Sequence, residues 1–248
     1  TTTVIGAGNA IGSSLPPYFI FPGQRWMPEL MNGASPGSAG TVTKSGWSNT
    51  TVLISYLETH FIRYRPGQQD QQLVLLLYDG HKSHVSVPVK EWARAHVILF
   101  VLPPHTSHIL QPMDIACFKP FKTFYYQECQ KHLRNNPGMA ITRYDIAQIA
   151  SRAYSKGLSS DNLVSAFRKA GICPFDPNVV PAEKLAPSQV VEGQTNVRRL
   201  GRPPKPKQSS PEPVCEFLDS RVPRPQQNVA PAPVSDHNIG DIDRKSVV

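Results

Sequence analysis

Two acidic residues stand where strand-tip chemistry is easiest to build. Asp79 closes the apolar run from Leu73 to Tyr78 and is followed at once by Gly80. Asp114 follows the stretch from Pro103 to Met113 and opens an amphipathic segment, with 34 residues between the two acids. A carboxylate at the tip of a buried strand is costly unless it binds something, and a divalent cation is the usual partner. If the two acids converge, they hold Mg²⁺ (or Mn²⁺) for phosphodiester chemistry. Two histidine pairs, His81/His84 and His105/His108, raise the rival of a zinc hydrolase. Their spacing is not the helical HExxH arrangement, and no Glu general base follows. Ser83 beside His84 lacks the GxSxG elbow of a serine nucleophile. Lys82, Lys119 and Lys122 sit beside the acids, where contacts to phosphate are useful; the plainer alternative is a solvated face.

The elements that must position these residues follow from pattern. Thr2 to Ala7 reads as a strand, Gly8 to Gly12 as a hairpin turn, and Pro17 to Phe21 as a second strand. The glycine-rich stretch 31–46 reads as a loop. Ser48 is the expected N-cap of a helix whose apolar face is Val52, Leu53, Tyr56, Leu57 and Phe61. Buried strands are expected at Leu73–Tyr78 and Val97–Leu102, with a helix from Val85 to Ala95 between them; Pro88 is tolerable in its first turn. Beyond Asp114, Ile115, Phe118, Phe121 and Tyr125 recur at helical spacing. Thr142 and Asp145 form a capping pair for a helix that uses Ile146, Ile149, Ala150 and Ala153 and stops at Gly157. A last helix, about Leu163 to Ala170, stops at Gly171. Strands joined by a crossover helix pair in parallel, so the order implies an α/β domain: an antiparallel opening hairpin in a mixed sheet with helices on both faces. Ligands of such sheets bind beyond the carboxyl ends of the parallel strands, where Asp79 lies.

The 248 residues allow one sizeable domain and a tail. The net charge of +8 and pI near 9.4 suit a nucleic-acid partner. Cys117, Cys129, Cys173 and Cys215 form no CxxC pair and no disulfide framework, which fits a reducing compartment. No apolar run approaches the roughly twenty residues that span a bilayer, and no signal peptide is visible. Residues 181–248 hold 11 of the 25 prolines and one aromatic residue, Phe217. Such a stretch buries too little apolar area to offset its ordering entropy and is expected to be a disordered tail. Within it, Arg198, Arg199, Arg202 and Lys205 lie in a segment, 198–207, that resembles an AT-hook whose Gly-Arg-Pro core enters the A·T minor groove. A nuclear-localisation signal or a basic linker are the alternatives, and all three suit a nuclear protein.

Four blocks carry a family resemblance. Leu77-Tyr78-Asp79-Gly80-His81-Lys82-Ser83-His84 resembles the second-aspartate motif of the DDE-superfamily endonuclease domain, in the pogo/Tigger branch of Tc1/mariner-like transposases. Leu102-Pro103-Pro104-His105-Thr106-Ser107-His108-Ile109-Leu110-Gln111-Pro112-Met113-Asp114 resembles that family's third-acid motif. Leu15-Pro16-Pro17-Tyr18-Phe19-Ile20-Phe21 resembles its early hairpin, and Ala166 to Phe175 its closing helix. The resemblance spans roughly residues 1–178 and implies an RNase H-like fold over 1–180. It also implies two-metal cutting and joining of DNA strands, with Asp79 and Asp114 as catalytic metal ligands. Its first acid would lie on a strand ahead of the hairpin, so the acid triad within this chain is expected to be incomplete. The chain opens Thr1-Thr2-Thr3-Val4 without Met, as a piece of a longer protein would. Expected partners are DNA and no membrane, with an oligomer possible; the expected location is the nucleus. The alternative is a domesticated, non-catalytic nuclear DNA-binding protein that keeps fold and charge but cleaves nothing.

Overall fold

The computed structural model describes residues 1–66, 73–79, 86–103 and 106–180, with the backbone of 242–246. Strand β1 (Thr2–Gly6) pairs antiparallel with β2 (Tyr18–Pro22), Val4 opposite Phe19. Between them the Asn9 carbonyl accepts from the Gly12 amide and its side chain from the Ser13 amide, and Gly12 takes φ +91°, which glycine alone adopts freely. Successive side chains point to opposite faces of a strand. Here both faces are apolar. Val4, Phe19 and Phe21 enter one core, while Ile5, Tyr18 and Ile20 enter the other.

Part of the glycine-rich stretch expected to be a loop is a third strand, β3 (Ala39–Thr43), parallel to β2. Its pattern was hidden by glycine. A Cβ on Gly40 would lie 2.8 Å from the Phe19 carbonyl oxygen, so the close pairing itself requires the missing side chain. Asn49, not the expected Ser48, caps α1 (Thr50–Tyr56) by accepting from the Val52 amide at 2.9 Å. The helix runs on through a π turn, Leu57–Phe61, into α2 (Ile62–Tyr64). Its expected apolar face is buried in full.

Strand β4 (Val74–Tyr78) and strand β5 (Val97–Val101), with α3 (Val87–His96) between them, form a separate two-stranded parallel sheet. The single mixed sheet expected from the pattern is thus two small sheets among the described residues. These strands are not wholly buried either. Leu76, Leu77 and Tyr78 are inside, but Leu73, Leu75, Ile98 and Phe100 are each at least half exposed on the opposite face. The outer edge of β1 carries β6 (Ile242–Ser246), paired in parallel with Thr2 facing Ile242. These five residues belong to the stretch expected to be a tail, and the rest of 181–248 lies outside the described residues.

After α4 (Ser107–Leu110) and a π turn (Met113–Cys117), the chain forms α5 (Phe118–Asn135), α6 (Ile146–Gly157) and α7 (Ser160–Lys169). The pair Thr142/Asp145 forms as expected, with the Asp145 carboxylate accepting from the Thr142 amide (2.8 Å) and hydroxyl (2.7 Å). Helix α7 ends in a Schellman motif. Gly171 takes φ +67°, its amide bonds the Arg168 carbonyl, and the Ile172 amide bonds the Phe167 carbonyl. Gly157 differs: it is the last residue of α6, without a left-handed φ, and its role is close contact with α5. Across these helices Lys156 donates to the buried Glu128 carboxylate at 2.6 Å.

One hydroxyl ties this helical layer to the hairpin. Tyr154 donates to the Leu15 carbonyl (2.9 Å) and accepts from the Ala7 amide (3.3 Å), and burial holds its phenol well above the usual range. Tyr154→Phe keeps the ring but strands both backbone groups. The expected loss is about 1–3 kcal/mol of stability. Chemical denaturation read by circular dichroism checks it; an unchanged midpoint would mean the tether contributes nothing.

Candidate active site

Strands β4 and β5 end together. Tyr78 stands opposite Val101, and the Leu102 amide donates to the Tyr78 carbonyl at 3.0 Å. Asp79 is the first residue past β4 and is partly buried. Burial first, and the Asp79 charge second, push the Tyr78 phenol up to about 12. The chain leaves β5 at this same carboxyl edge and turns at once. The Thr106 hydroxyl closes the turn on the Pro103 carbonyl at 2.7 Å, and the Ile109 and Leu110 amides bond the Thr106 carbonyl to start α4.

Helix α4 then aims Asp114. Gln111 is 1% exposed, and its carbonyl accepts from the amides of both Asp114 and Ile115. Met113 and Cys117 are fully buried, so the π turn is pinned by its apolar side and turns Asp114 outward. Burial pushes the Cys117 thiol up to about 12, which leaves it inert at neutral pH. Asp114 lines an open recess of about 580 Å³ with Ser107, His108 and Ile115. Ser107 was not singled out from sequence; an isolated serine carries no signal until α4 folds it back beside the acid. Lys119 and Lys122 are exposed on α5, the helix that Asp114's turn feeds.

Asp79 therefore stands at the carboxyl edge of a parallel strand pair, and Asp114 on the helical turn that follows α4, in a recess that Asp79 does not line. Lys82, His81, His84 and His105 lie outside the described residues, as do Arg198, Arg199, Arg202 and Lys205. Among the described residues no group of three or more His, Cys, Asp or Glu gathers to hold a metal. The donors at Asp114's recess are a carboxylate, a hydroxyl and the His108 imidazole; the two oxygen donors suit a hard cation such as Mg²⁺, and the imidazole is the one nitrogen donor beside them. Asp79 would add a second carboxylate.

A Cochliobolus lunatus protein named MFS-type transporter clz9 is 33% identical over 180 residues, which are 72% of this chain and 19% of that protein. The chain thus spans about a fifth of that relative's length. No helix among the described residues is long and apolar enough to cross a membrane. No solved structure matches the chain. The model of one family, the DDE superfamily endonucleases, matches residues 1–167, which takes in the hairpin, both acids, the recess and most of α7. On that match the chain belongs to the DDE superfamily endonucleases.

Proposed function

We propose that this domain is of the pogo/Tigger transposase type and processes DNA in the nucleus, through Mg²⁺-dependent cutting and joining of strands. The observation that carries the reading is the shared carboxyl edge of β4 and β5, from which Asp79 and the α4–Asp114 segment both emerge. A divalent ion supplies a Lewis acid for the phosphate and an activated water. The chain's own residues do the rest. Asp79 and Asp114 hold the ion. Ser107 and His108 border the space that a scissile phosphate would enter. Lys82, Lys119 and Lys122 take neighbouring phosphates. Arg198, Arg199, Arg202 and Lys205 anchor A·T-rich duplex from the tail. In cleavage, water forms a P–O bond as the bond to the 3′ oxygen breaks, leaving a 5′ phosphate and a 3′ hydroxyl; of the two water protons one ends on the 3′ oxygen and the other goes to solvent.

A second reading is favoured by the missing third acid among the described residues: a domesticated DNA-binding protein without catalysis. Nicking of supercoiled plasmid by the full chain separates the two. The catalytic reading expects open circles with Mg²⁺ or Mn²⁺ and none with chelator. Tight DNA binding without nicking under either metal would overturn it in favour of the second.

A further inference from the structure

Among the described residues Arg143 forms no ion pair. Its Nε and Nη2 are shielded from solvent and have no hydrogen-bond partner. The acid nearest in sequence, Asp145, is already committed to Thr142 and lies 3.9 Å from His132. The guanidinium faces the turn after β2: a Cβ on Gly23 would stand 3.3 Å from Nη2, and Val42 borders the same space. A shielded guanidinium with idle donors is costly unless an anion comes to it, and its planar fork matches phosphate bidentately.

One ring lies against this fork, and two part-exposed indoles stand on the neighbouring segments. Tyr144 lies under the guanidinium at 5.8 Å and donates to the Met27 sulfur at 3.7 Å. Trp26 leans on Phe21 at 6.5 Å yet is 38% exposed. The Gly23 amide bonds the Thr43 carbonyl, and the Thr43 hydroxyl bonds the Trp47 carbonyl, which brings the 47% exposed Trp47 to the same corner. Arg25 and Lys44 are exposed beside it. Thr43 and Lys44 also line a separate recess of about 470 Å³ with Thr41, Thr51 and Ser55. None of these residues lines the recess of Asp114.

Cations for phosphates, with part-exposed indole and phenol rings on the neighbouring segments, are the parts of a single-strand platform. Duplex DNA hides its base faces; an unpaired strand presents them for stacking. We propose that this corner is a second DNA subsite that grips an unpaired strand, with a phosphate on Arg143 and a base on Trp26. It rests on the reading of DNA as substrate and deepens it: the substrate is DNA with a frayed or displaced strand.

The test uses the full chain in chelator, with labelled oligothymidine about 16 nucleotides long and a duplex of equal length. Trp26→Ala and Arg143→Gln are each expected to weaken single-strand binding by about tenfold and duplex binding by less than about twofold. Arg143→Lys should restore part of the loss, because it keeps charge but not the fork. Tryptophan fluorescence should be quenched by the single strand and less so in Trp26→Ala. Equal losses for both DNAs, or none for either, overturn the subsite whatever the nicking assay returns. Since this binding test needs no metal, failure of the separate nicking assay in Mg²⁺ or Mn²⁺ with this discrimination preserved counts against the nuclease reading alone.

Discussion

Asp114→Asn is expected to slow metal-dependent strand cleavage by about a thousandfold, equivalent to about 4 kcal/mol of transition-state stabilisation. Asparagine keeps the shape and one oxygen but removes the charge that draws a hard cation. Asp79→Asn should do the same from the end of β4. Stability separates this from a structural role. Asp114 is exposed and starts a helical turn, so neutralising it removes at most a favourable dipole interaction, about 0.3–1 kcal/mol. The melting temperature should then fall by no more than about 4 °C. Calorimetric titration with Mn²⁺ gives the decisive reading. If both variants bind the ion as the parent does, the acids are not its ligands.

What was legible in the sequence follows a physical pattern. The hairpin, the helix over Val52–Phe61 and the Schellman stop at Gly171 all rest on local rules of periodicity, turn chemistry and positive φ. Those rules act within a few residues. The acids were singled out because their motifs are contiguous. What was missed depends on the partner. Strand β3 reads as a glycine loop until the Phe19 carbonyl presses on Gly40. The apolar run at β4 gives no hint that Leu73 and Leu75 face outward, since exposure is set by what covers the sheet. Ser107 gains meaning only when α4 folds it beside Asp114, and Arg143 only when Asp145 turns to Thr142.

Gly157→Ala sets local rule against packing most directly. In an isolated helix the change would stabilise by about 1 kcal/mol, because alanine is the better helix former. In the fold it should destabilise by about 3 kcal/mol net. The added Cβ would lie 2.6 Å from Phe121 Cα, 2.7 Å from its Cβ and 2.8 Å from its backbone nitrogen. No rotamer change relieves contact with a backbone, so α5 and α6 must part. Parting them disturbs the fully buried Phe121, its edge contact with Tyr154 at 6.2 Å, and the Lys156–Glu128 bond one residue away. For a domain of this size the melting temperature should drop by about 6–12 °C. Ser155→Ala, on the exposed side of the same turn, isolates the propensity effect and should shift stability by less than about 0.5 kcal/mol. A Gly157→Ala protein that melts at or above the parent would show that α5 and α6 do not approach as closely as described, and the Tyr154 tether and the Glu128 ion pair would need to be placed anew.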